Sequence, residues 1–145
     1  MLSEIEREKR IAEHLFYVSL KYTKTTDVIL NLLNRWKTMI DISIQYLLER
    51  AKKAKKFKTV SEAPKAKELL VRDIYKKNKI IIETMEIYNL FRKMPGLDKI
   101  RESEFRKNVA VIAMNGTKEI KVDMEKLKEW NEKMNIFFNE IKKIK

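Results

Sequence analysis

The sequence predicts a mainly α-helical fold: a four-helix up-down bundle with long second and third helices and a β-hairpin, at about residues 105–122, inserted before the last helix. Three observations carry this expectation. Two glycines and two prolines in 145 residues leave few places for tight turns, so long segments run without interruption. Apolar residues recur at three- and four-residue spacing through four stretches, the mark of helices with one buried face. Asn115-Gly116 sits between two apolar runs of period two, the strongest short hairpin signal. At this length, and with 44% hydrophobic residues, residues 1–145 are expected to form a single helical-bundle domain around one core.

The first helix is expected to open at a capping box, Ser3 with Glu6, and to bury Ile11, Leu15, Val18 and Tyr22 at 4-3-4 spacing. A polar turn, Thr23-Lys24-Thr25-Thr26-Asp27, leads into the second helix, about residues 26–56. That helix carries Ile29, Leu33, Trp36, Ile40, Ile44 and Leu47 on one face. Pro64, tolerated only in a first turn, starts the third helix, which is expected to run to Lys93 with Leu70, Ile74, Ile81, Met85 and Tyr88 as its seam. At 1.5 Å per residue the second and third helices are each about 45 Å long. Met94-Pro95-Gly96 ends the third helix, and residues 97–104 read as a short helical stretch.

In the hairpin, a loop at Asn115-Gly116 sets Met114 opposite Thr117, Val111 opposite Ile120 and Val109 opposite Val122, so one face is apolar. Asp123 is a good N-cap for the last helix. Leu127, Trp130, Met134, Phe137, Ile141 and Ile144 follow at 3-4-3-4-3 spacing.

Composition narrows the chemistry. The absence of cysteine and the single histidine exclude disulfide frameworks, thiolate or imidazole metal clusters and a cysteine nucleophile. Neither glycine is free to cradle a phosphate, because one ends a helix and the other turns the hairpin. No metal and no cofactor is therefore expected. A charged N-terminus and the lack of a long apolar run lead to the expectation of a cytoplasmic protein with no membrane partner. The formal net charge of +12 gives a positive field that attracts polyanions.

Two sets of residues stand out. Arg50, Lys52, Lys53, Lys55, Lys56 and Lys58 place six positive charges in nine residues with no acid among them, and Lys65 and Lys67 follow across a connector. This basic helix tip is the candidate nucleic-acid-binding surface. Arg7 and His14 are two helical turns apart and share a face. An Arg and a His so placed can stabilise a phosphate and move a proton, the minimum for metal-independent RNA cleavage. Tyr17, Tyr46 and Tyr75, beside lysines at the stripe edges, are candidates for stacking on bases.

Ala12-Glu13-His14-Leu15-Phe16-Tyr17-Val18-Ser19, the long paired helices, and a last helix preceded by Glu104-Phe105-Arg106-Lys107 and a hairpin together resemble small archaeal proteins of unknown function with a HEPN-like helical bundle. The resemblance is one of layout over most of the chain. It implies an RNA-linked or defence setting: enzymatic members of the HEPN superfamily are RNases with an Arg and a His a few residues apart late in the domain, usually at a dimer interface, and others pair with small nucleotidyltransferases. The late helices here contain no histidine, and Arg7 with His14 matches the spacing only in the first helix. The expected function is thus a non-enzymatic helical-bundle interaction module, a homodimer or bound to a protein partner, and linked to RNA. The alternatives are a HEPN-type metal-independent ribonuclease using Arg7 and His14, and an RNA-binding protein using the basic helix tip.

Overall fold

The computed structural model describes residues 1–144. Helix α1 (Leu2–His14) runs on through a π-helical segment, Leu15–Ser19, into a last turn at Leu20–Tyr22. Its N-cap is Met1, so Ser3 lies inside the first turn and the capping box does not form. The π segment takes in an extra residue. Core positions therefore run Ile5, Ala12 and Leu20, spaced seven and then eight, and all three are fully buried. The expected stripe is turned outward instead: Val18 and Tyr22 are 40% and 78% exposed, and Ile11 and Leu15 are only half-buried.

Helix α2 (Thr26–Lys53) starts at Thr25, whose hydroxyl accepts from the Val28 amide at 3.3 Å. It follows the sequence expectation closely and buries Ile29, Leu33, Trp36, Ile40, Ile44 and Leu47. It ends three residues early because Lys55 adopts a φ of 59°. The Lys55 amide then reaches the Lys52 carbonyl at 2.9 Å and the Lys56 amide the Ala51 carbonyl at 3.0 Å, the paired bonds of a Schellman cap.

The long third helix is in fact two helices, α3 (Pro64–Ile74) and α4 (Lys79–Lys93). Pro64 takes the first position as expected. The break comes at residues 75–78, where the Asn78 side chain caps α4 by accepting from the Ile81 amide at 3.2 Å and donates to Glu140 at 3.0 Å. A short 3-10 turn, Met94–Gly96, follows α4.

The next segment is not helical. Strands β1 (Asp98–Glu102), β2 (Ala110–Asn115) and β3 (Lys118–Val122) form an antiparallel sheet in the order β1-β2-β3. Pairing of β1 with the free edge of β2 outweighs its weak local preference. The hairpin is present but starts later than expected, and its register differs by two residues. Val111 faces Val122, Ala113 faces Ile120 and Asn115 faces Lys118. Gly116, with φ at 68°, is the first residue of the two-residue turn and Thr117 the second, the arrangement of a type II′ turn. The apolar face is unchanged: Val109, Val111, Ala113 and Val122 are fully buried in the main core, so the sheet packs on its own helices.

Helix α5 (Met124–Lys143) begins at Asp123, whose carboxylate accepts from the Lys126 amide at 2.9 Å, as the sequence predicts. Over the described residues the molecule is thus mainly helical, with five helices and a small sheet, and α2 packs against α1, α3, α4 and α5. Trp36 stacks on Phe91 of α4 at 5.9 Å and meets Trp130 of α5 edge-on at 6.5 Å; Phe91 and Trp130 are 5.1 Å apart. Among the described residues no helix is long and apolar enough to cross a membrane.

Removing the Trp36 ring leaves a cavity where three helices meet. Trp36→Ala is expected to lower stability by about 3–5 kcal/mol in urea unfolding, whereas a loss below about 1 kcal/mol would show that α4 and α5 pack without it.

Candidate functional site

The basic helix tip is larger than its sequence run. Lys52, Lys53, Lys55, Lys56 and Lys58 are all exposed. Lys56 Nζ lies 5.8 Å from the Tyr75 ring, and the Tyr75 hydroxyl donates to the Leu47 carbonyl at 3.1 Å. These contacts fold the corner between α3 and α4 onto the end of α2, which adds exposed Lys76, Lys77 and Lys79. The bond from Asn78 to Glu140 ties the same corner to the end of α5, which adds exposed Lys142 and Lys143. Three segments distant in sequence thus place ten lysines at one end of the molecule.

The acids beside them are fewer: exposed Glu49 and Asp73, in the last turns of α2 and α3, and Glu140. Glu140 is occupied by Asn78 and lies 3.8 Å from Lys143. The C-termini of α2, α3 and α5 converge here, and their carbonyl dipoles favour cations. That effect reaches about one turn, so it accounts for Lys52, Lys53, Lys142 and Lys143 better than for Lys55, Lys58, Lys76 and Lys77. A shallow concavity of about 670 Å³, lined by residues 74–80 and Glu140, lies between the α3 to α4 corner and the end of α5.

Three of the expected tip residues are partly engaged elsewhere. Arg50 is half-buried, with its guanidinium 5.1 Å from the Tyr46 ring. Lys65 pairs with the buried Glu68 at 3.3 Å, and Lys67 pairs with Glu62 at 3.0 Å. Two of the candidate stacking residues are also withdrawn. Tyr46 is buried, and Tyr75 is half-buried with its phenol held above the ordinary value, first by burial and then by Tyr46. Tyr17 remains 57% exposed and accepts a bond from Asn131 at 2.9 Å.

Lys55 carries the clearest local signal. It occupies the left-handed position of the helix cap, where glycine is the usual residue and a side chain costs about 1 kcal/mol. A lysine there adds an exposed charge to the cluster.

Arg7 and His14 lie on the outer face of α1, both exposed. A hollow of about 470 Å³ contains them, and its walls, Ser3, Glu6, Arg7, Arg10, Ile11, His14 and Leu15, all belong to α1 and the first residue of the π segment. Among the described residues no second element lines this hollow, so no group closes over a substrate there. Among the described residues no three His, Cys, Asp or Glu side chains are grouped to hold a metal ion.

The lysines of residues 76–79 and 142–143 escaped sequence reasoning because they join the tip only through the unforeseen break after Ile74. Asn78, a capping residue in the midst of lysines, is the signal that would have found it.

Lys55→Gly is expected to raise stability by about 1 kcal/mol in thermal or urea unfolding, because it removes the left-handed strain. An unchanged or lower stability would show that the lysine packs favourably in the cap. No family model, no curated protein and no solved structure matches the chain.

Proposed function

We propose that the chain is a non-enzymatic binding module that holds the backbone of a nucleic acid, RNA foremost, against its lysine-rich end. The observation that carries this reading is the gathering of ten exposed lysines from three segments at one end of the molecule, where they outnumber the neighbouring acids Glu49, Asp73 and Glu140. Lysine is a flexible point charge and suits sequence-independent contact with phosphates. The withdrawal of Tyr46 and Tyr75 into the core leaves that surface to electrostatics, so affinity there should depend on charge and not on base identity.

Binding to RNA should weaken steeply with salt. If about five phosphates are neutralised, log K falls with log salt at a slope of about −3 to −4 for a single strand. A variant with Lys52, Lys53, Lys55 and Lys56 changed to Glu should lose most of that affinity and most of the slope. Binding by that variant as tight as the parent's would overturn the proposal.

The ribonuclease reading makes a different demand. It rests on Arg7 and His14, which stand on one helix with nothing opposite them. Incubated with RNA, the protein is expected to leave the strand intact, and His14→Ala to bind as the parent does. Cleavage that His14→Ala abolishes would establish the enzyme instead.

One observation favours a second reading, a module that pairs with a protein or with its own copy. Ile11 and Val18 stand outside the core cluster on the outer face of α1, beside Leu15 at its edge. If that face is an interface between copies, light scattering will give twice the chain mass and Val18→Glu will return it to one. A single chain mass at all concentrations removes the homodimer.

A further inference from the structure

We propose that Phe105 and Tyr22, at the end of the molecule opposite the lysine cluster, form a stacking platform for unpaired bases of a single-stranded nucleic acid. The proposal rests on the polyanion reading above and names its ligand class.

Half of the exposed large apolar side chains among the described residues lie in this region: Tyr17, Val18 and Tyr22 on the last turns of α1, and Phe105 in the loop between β1 and β2. Phe105 is 73% exposed and has a φ of 66°. A bulky side chain in the left-handed region is an outlier that persists only where its surroundings impose it. Here the surroundings are explicit. The Glu104 carboxylate accepts from the Thr26 amide at 3.0 Å and from the Thr26 hydroxyl. Arg101 donates to the Thr26 hydroxyl and to Asp27, both at 2.7 Å. The Phe105 amide donates to the Lys24 carbonyl at 2.6 Å. The loop is therefore clamped onto the turn between α1 and α2, two residues from Tyr22, and the clamp leaves the phenylalanine ring in solvent. Nothing in the packing of the fold uses that ring, and glycine would satisfy the backbone better.

The charges around the rings fit a phosphate strand. Lys21 Nζ lies 5.9 Å from the Tyr22 ring centroid. Lys24, Arg106 and Lys107 are nearby in the chain, and none of these four cations has an acidic partner among the described residues. The acids of the clamp, Asp27 and Glu104, are already engaged. Exposed aromatic faces with unneutralised cations beside them accept bases by stacking and phosphates by charge. A duplex keeps its bases stacked within itself, so this end distinguishes single strands from duplexes while the lysine end binds both.

The test uses fluorescence polarisation with oligouridylate and with an RNA duplex, on the parent chain and on a Tyr22→Ala, Phe105→Gly double variant. Because glycine relieves the positive φ, Phe105→Gly alone is expected to unfold at the parent's temperature or above, which separates loss of binding from loss of fold. The double variant should bind oligouridylate about tenfold or more weakly and the duplex as before. Single-strand affinity equal to the parent's would overturn the platform while leaving the lysine end standing. Equal losses for single strand and duplex would overturn it too, since stacking is then not what was removed. A parent that binds neither RNA removes both readings together.

Discussion

The contact among Trp36, Phe91 and Trp130 holds α2, α4 and α5 around one point. With α1 packed along another side, thirteen of the residues of α2 are buried. A polar strip that includes Asn31, Asn34 and Glu49 stays exposed along its length, and its two ends emerge at opposite poles of the molecule. At 28 residues those ends are about 42 Å apart. One carries the lysine cluster and the other the turn on which the β1 to β2 loop is clamped. Both proposed surfaces are consequences of where the central helix stops.

Backbone strain marks the same two places. With two glycines in the chain, left-handed positions fall to other residues: Lys55 at the lysine end, Ser103 and Phe105 in the clamped loop. Each costs about 1 kcal/mol relative to glycine, a sizeable fraction of the margin by which a domain of this size is stable. At Lys55 the residue kept is an exposed charge among other lysines. At Phe105 it is an aromatic ring turned into solvent. In neither case does the core gain from the side chain.

The sequence was most informative where one local signal decided the structure. In α2 and α5 a clean 3.6-residue period matched the buried face, and Asp123, Pro64 and Gly116 marked boundaries through their own stereochemistry. It was least informative where distant residues decided. The buried face of α1 runs through Ile5 and Ala12, and the π segment carries it on to Leu20 and leaves Val18 and Tyr22 outside the core; no local pattern announces the change of pitch. Asp98-Lys99-Ile100-Arg101-Glu102 has one apolar residue and becomes a strand because β2 offers it an edge. The break at residues 75–78 contains neither glycine nor proline, so the third helix read as continuous. The site follows the same rule. The run of charges at residues 50–58 was visible, but the lysines of the α3 to α4 corner and of the end of α5 meet it only through the contacts of Tyr75 and Asn78.

Where a polyanion sits on the molecule is read most directly by an NMR titration of the isotope-labelled protein with an RNA duplex, which the lysine end alone is expected to hold. The predicted result is amide shifts concentrated at residues 52–58, at residues 75–79 and in the last turn of α5, fading together as salt is raised. Shifts centred on Arg7 and His14, with those three segments unmoved, would contradict the account and return the function to the outer face of α1.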